Sequence, residues 1–197
     1  LHEGEWLAMQ RDSVSIEVLR DGALETETRE LFSSRHGPLF ESESYPWSTT
    51  TAFALRQTET GLRDPDQYMA VWRAKSVREM KEVLATRQSF RFNTTAVDAT
   101  GEALYGDLGL IPNVSTALVE TCAISDLAKQ QWRQRMPVLD GSRAECDWPT
   151  DADSSQSGVA GARAPPPPFP TDYVLQSKDS YWLTHIFAPV TGLSPLF

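Results

Sequence analysis

The chain has 197 residues, 40% of them hydrophobic and 23% charged. That apolar content supports one substantial core and excludes collagenous, coiled-coil and wholly disordered classes. A formal net charge of -9 and a pI near 4.8 set the chain apart from nucleic-acid binders, which need clustered Lys and Arg to meet phosphate.

No apolar run approaches the length of a membrane span, and the opening LHEGEWLAMQ lacks the basic start and apolar stretch of a signal peptide. The first residue is Leu1, not Met, so the sequence reads as a piece of something longer, with any export signal upstream. Alternation in SVSIEVL puts Val14, Ile16 and Val18 on one face, and Asp21-Gly22 is a strong turn signal, so a hairpin is predicted. SRHGPLF ends the second strand near His36, before a turn at Gly37-Pro38. The β-branched and aromatic STTTAFALRQT predicts a third strand from Thr50 to Gln57.

After a break at RDPDQ, Tyr68, Val71 and Trp72 recur at helical spacing. A second helix is better marked: Ser76 and Glu79 form a capping box, Val77, Met80, Val83 and Leu84 make its apolar stripe, and it should end near Arg87. A strand from Phe90 to Val97, a turn at DATGE and a return strand ALYGDLG follow, with Asn93 in mid-strand. Residues 113–146 read as a helical, Cys-bounded segment in which Ser125 caps SDLAKQQWRQRM. Residues 147–170, dense in Asp, Ser, Gly and Pro and culminating in APPPPFP, read as a long surface loop of extended geometry, with an SH3-type ligand as a minor alternative. Residues 171–197 return to the core.

Few residues offer chemistry. His2, His36 and His185 are the only histidines, and none sits beside a GxSxG nucleophile elbow. His36 reads as a structural hydrogen-bonder, and His185 as a surface or loop residue. Carboxylates are scattered, so no glycosidase pair stands out and no metal ligands are assigned. Cys122 and Cys146 are either a disulfide, closing a loop worth about 3 to 4 kcal/mol and implying an oxidising compartment, or two buried thiols. Asn93 has two readings as well. Its two N–H donors, held by packed strand neighbours, are what an oxyanion hole requires, or the amide closes a hydrogen bond to a bend. The residues alone give a soluble, exported α+β piece.

FRFNTTAVDATGEALYGDLGLIP resembles the segment of the penicillin acylase family that runs Asn-Thr-x-x-x-Asp-x-x-Gly-x-x-x-Tyr and ends in Ile-Pro. SRHGPLF is similar to that family's Arg-x-Gly-Pro strand, AVWRAKSVREMKEVLATRQSF to its helix before the Asn strand, and DYVLQSKDSYWLTHIFAPVTGLSP to its Asn-Asp-Ser-x-Trp-Leu segment. ETCAI and AECDWPTD resemble paired cysteine segments of the acyl-homoserine lactone acylase and aculeacin A acylase branch, which implies a Cys122–Cys146 disulfide. The order matches throughout.

The resemblance implies a partial N-terminal nucleophile hydrolase fold, an αββα core with antiparallel sheets, and a piece of the β chain of a self-cleaved precursor. It implies that Asn93 supplies the oxyanion-hole amide, while the nucleophile lies upstream of Leu1. It also implies an acylated small-molecule amide as substrate, the α chain and the remaining β chain as partners, a periplasmic or secreted location, and no cofactor. Phe40, Tyr45, Trp47 and Trp72 are candidate walls of an apolar acyl pocket, set against ordinary core packing. Three positions depart from the family pattern: Asn113 follows the Pro with no Arg nearby, Lys178 stands where Asn is common, and His185 stands where Asn follows Leu-Thr. The alternative from another class is a non-catalytic module that binds acyl ligands or a partner chain. An upstream Ser, Cys or Thr preceded by Gly at a processing site discriminates the enzyme from the module. Expressed by itself, the piece should leave sheet edges and apolar faces uncovered and be marginally stable.

Overall fold

The computed structural model describes residues 1–58, 63–86, 92–134, 136–161 and 196. These hold four helices and two antiparallel sheets, an α+β class, and the chain divides into two units, Leu1–Gln57 and Thr58–Phe197.

In the first unit, Asp21 and Gly22 adopt left-handed backbone angles, φ 49° and 84°, which match a two-residue turn to the right-handed twist of its strands. The turn joins β1 (Gln10–Arg20) to β2 (Ala23–Ser34) in continuous register from Gln10↔Ser33 to Arg20↔Ala23. The predicted hairpin is present, yet Val14 and Ile16 are exposed and lie opposite Arg29 and Glu27. Ion pairs Arg11–Glu30, Arg20–Glu27 and Arg29–Glu27 run along this ribbon. The next turn lies at Arg35–His36, two residues before the predicted Gly37-Pro38, which instead begin β3 (Gly37–Phe40). There the His36 backbone N–H donates to Ser34 Oγ at 3.1 Å, a bond that closes the turn without using the imidazole.

The third predicted strand shrinks to β4 (Phe53–Ala54), paired to β3 through Leu39↔Ala54 and Phe40↔Phe53. The reason is local: Ser48 Oγ accepts the N–H groups of Thr50 and Thr51, and a side chain that captures the backbone withdraws it from a ladder. Gly37 has φ 118°, and a Cβ there would stand 2.3 Å from the Leu55 carbonyl oxygen, so only glycine lets β3 approach this closely.

In the second unit, α1 (Arg63–Arg73) starts inside RDPDQ, where the sequence predicts a break. Pro65 falls in the first turn, where a helix needs no N–H, and Asp64 and Asp66 complement the positive end of the helix dipole. The serine half of the predicted capping box of α2 (Val77–Ala85) is present, with Ser76 Oγ accepting the Glu79 N–H at 3.2 Å. The Glu79 carboxylate reaches back to the Lys75 N–H at 2.8 Å. The helix is capped by Thr86, one residue from the predicted end. β5 (Asn93–Val97) and β6 (Ala103–Asp107) form the predicted hairpin. Buried Val77 and Leu84 of α2 pack with Leu104 and Leu108, and Val71, Met80 and Ala96 close the cluster.

A second cluster joins Val114 to α3 (Thr116–Cys122) and α4 (Asp126–Arg133) through Val119, Ala123 and Ala128. Ser125 caps α4 as predicted, and Ser115 caps α3 by the same device. A 3-10 turn at Ala144–Cys146 follows. Residues 147–161 carry no helix or strand, but they do not stay on the surface. Val159 and Ala160 are buried, Pro112 bridges Val159, and the Ala160 N–H donates to the Ile111 carbonyl at 2.9 Å. Two apolar residues within a polar stretch thus return the chain to the core. APPPPFP, Lys178 and His185 lie outside the described residues.

Candidate active site

Asn93 opens β5 instead of standing in mid-strand, because Phe92 before it is a bend and the ladder starts at the Asn93↔Asp107 pair. The same antiparallel register pairs Thr95 with Tyr105, so Asn93 and Tyr105 are diagonal neighbours on one face of the hairpin. That separation is within reach of an aromatic side chain. Asn93 Nδ2 donates to Tyr105 Oη at 3.1 Å. The amide therefore meets a phenol, not main chain. Asn93 is half-buried, whereas Tyr105 is 3% exposed. Burial pushes the Tyr105 hydroxyl up from its usual pKa, outweighing the Asn93 hydrogen bond that lowers it.

At the opposite end of the hairpin, Asp98 Oδ1 accepts the Thr100 hydroxyl and N–H, and Oδ2 accepts the Val77 N–H at 3.1 Å. One carboxylate thus closes the β5–β6 turn and binds the first residue of α2. The Thr100 hydroxyl and then the Val77 N–H hold the Asp98 carboxyl below the usual range. Gly101 turns the chain at φ 87°, and Arg78 of α2 pairs with Glu102, which raises the Arg78 pKa. Asn93, Asp98, Gly101 and Tyr105 are the fixed polar, glycine and tyrosine positions of the motif quoted above. Sequence reasoning singled out only Asn93, although the same spacing marked Asp98 and Tyr105.

The candidate pocket residues fall in different units of the chain. Phe40 and Tyr45 meet edge to face at 5.2 Å, and Tyr45 meets Phe53 likewise at 5.2 Å. Trp47 stacks edgewise on Phe32 at 6.0 Å and donates Nε1–H to the Phe40 carbonyl at 2.8 Å. The first unit therefore gathers Phe40, Tyr45 and Trp47 into one aromatic group. Trp72 belongs to α1 in the second unit and is 75% exposed. Cys122 and Cys146 are bonded to each other with Cα atoms 5.6 Å apart, which decides between the two readings of the cysteines. Beyond β6, Asn113 holds its backbone to Gly158, while its Nδ2 is buried with no hydrogen-bond partner among the described residues. Among the described residues no group of three or more His, Cys, Asp or Glu gathers as for a metal, and no helix is long and apolar enough to cross a membrane.

Comparison with known proteins agrees with the hairpin motif. The chain is 34% identical over its whole length to an acyl-homoserine lactone acylase PvdQ of Pseudomonas syringae pv. syringae, and 33% identical over 98% of its length to that of Pseudomonas putida. It is 35% identical over 84% of its length to the aculeacin-A acylase of Actinoplanes utahensis. It spans about a quarter of these relatives, covering 25%, 25% and 21% of them respectively. The penicillin amidase family model matches residues 1–182, and the chain belongs to that family.

Proposed function

We propose that this chain is part of the β chain of an exported acylase that hydrolyses the amide of an acylated small molecule, such as an N-acyl-homoserine lactone, a lipopeptide or a penicillin. The observation that carries this reading is the 34% identity, along the entire chain, to an acyl-homoserine lactone acylase. In this reading a precursor is cut into α and β chains, and the new β-chain N-terminal residue attacks the amide carbonyl. Its own α-amino group, which titrates near neutral pH, takes the hydroxyl proton. Asn93 donates an N–H to the oxygen that becomes negative, beside a backbone N–H from the rest of the enzyme.

Support for Asn93 in that role is its half-buried place on a paired strand and an amide bonded to one side-chain oxygen. The disulfide supports a periplasmic or secreted location, since such bonds persist in oxidising compartments. The aromatic group of Phe40, Tyr45 and Trp47 supports an acyl-facing surface in the first unit, whereas the exposure of Trp72 leaves it free to meet another segment. Quenching of lactone signals follows if the lactone is the substrate.

The test restores the upstream coding sequence and follows release of free amine from acylated lactones, lipopeptides and penicillins. Turnover of any one of them upholds the reading. A correctly folded precursor that neither cleaves itself nor releases amine would instead establish the non-catalytic binding module.

A further inference from the structure

We infer that Tyr105 is the positioning residue of the Asn93 amide: its hydroxyl oxygen accepts one Nδ2–H and so aims the other at the oxyanion. This inference rests on the proposed role of Asn93. A carboxamide nitrogen carries two N–H bonds about 120° apart in one plane, so fixing the direction of one fixes the other once the strand has set the Cβ. The fixed partner is Tyr105 Oη at 3.1 Å, and only Nδ2 can be the donor in that contact. The second Nδ2–H is then the one available to a ligand.

Three features make Tyr105 suited to the task. Its residue is 3% exposed, so the ring is held by packing and its hydroxyl does not wander with solvent. It reaches Asn93 from the diagonal position of a regular register, set by five backbone pairs from Asn93↔Asp107 to Val97↔Ala103. A tyrosine hydroxyl is neutral at neutral pH, and burial shifts its pKa further up. A neutral phenol accepts the amide N–H without placing a negative charge beside the forming oxyanion, as a carboxylate at the same point would. Free rotation of the amide would present its carbonyl oxygen to the oxyanion part of the time, and a lone pair there repels the charge it should stabilise.

The test is a double-mutant cycle in the complete, processed enzyme with a fatty-acyl p-nitroanilide that the wild type hydrolyses. Tyr105→Phe keeps the ring and removes the acceptor; kcat should fall about 10- to 100-fold with KM unchanged, because a misaimed donor weakens transition-state binding alone. Tyr105→Phe added to Asn93→Ala should cost nothing further, since the hydroxyl then has no amide to aim. Thermal melts of both variants establish that they fold. If Asn93→Ala loses kcat but Tyr105→Phe retains it, or if the two losses multiply, the positioning role is overturned while the oxyanion role stands. Near-normal kcat in Asn93→Ala overturns both.

Discussion

A single amide carries most of the proposed chemistry, and its energetic weight can be set in advance. Removing one preorganised oxyanion donor lowers kcat by about 10²- to 10³-fold, so Asn93→Ala in the complete enzyme should lose that much turnover and still fold, with a small drop in melting temperature. The stability half of this expectation follows from the half-buried site, where Ala opens little cavity and strands no charge, while the buried Tyr105 hydroxyl loses the N–H it accepts. Steady-state kinetics and a thermal melt check it together. Gly37 makes the opposite case, a residue with no side-chain chemistry and a large structural effect. At φ 118° with the Leu55 carbonyl oxygen 2.3 Å from any added Cβ, Gly37→Ala must move backbone. It should destabilise by about 2 kcal/mol or more, read from a urea transition of the complete protein.

At the level of elements, the hairpin that bears Asn93 is anchored to α2 from its far end. Asp98 ties the turn to the Val77 N–H, Arg78 pairs with Glu102, and Leu84 of α2 packs on Leu104 and Leu108. The helix thereby sets where the strand lies. Because the folded Asp98 carboxyl titrates below its unfolded value of about 3.9, its contribution is present above that pH and lost as pH falls through the lower folded value. Asp98→Asn keeps an acceptor but removes the charge. It should melt below wild type at pH 7, and the gap should narrow as pH drops from about 4, which a series of melts at fixed ionic strength would measure. A gap that stays constant to pH 2.5 would mean that charge is irrelevant to this clamp.

For the molecule as a whole, apolar burial is uneven. Among the described residues the buried apolar side chains run from Val77 to Ala160, while Val14, Ile16, Leu19, Leu24 and Leu31 of the first hairpin are exposed. Charge pairs run along that ribbon without giving it a core. In the second unit the disulfide joins the end of α3 to the 3-10 turn, and the Asp140 N–H donates to the Cys122 carbonyl inside the loop so closed. Reduction of Cys122–Cys146 should cost about 3 to 4 kcal/mol, seen as a lower denaturant midpoint in dithiothreitol and reproduced by the Cys122→Ser, Cys146→Ser pair.

Sequence by itself determined what depends on a few neighbouring residues: the Asp21-Gly22 turn, the Ser76 and Ser125 caps, and the DATGE turn between β5 and β6. Each is a local satisfaction of backbone donors or of a left-handed angle, so the residue types suffice. It also supplied the spacing of the motif that names the family. The tertiary structure decided the rest. Only strand register brings Tyr105 Oη to Asn93, only the packing of α2 puts Val77 beneath Asp98, and only the closing of a long loop sets Val159 against Pro112. Helix α1 took RDPDQ as its first turn, and Ser48 took the backbone that a longer β4 would have used. Contacts between distant residues are fixed by which apolar faces meet, and no short window of sequence contains both faces.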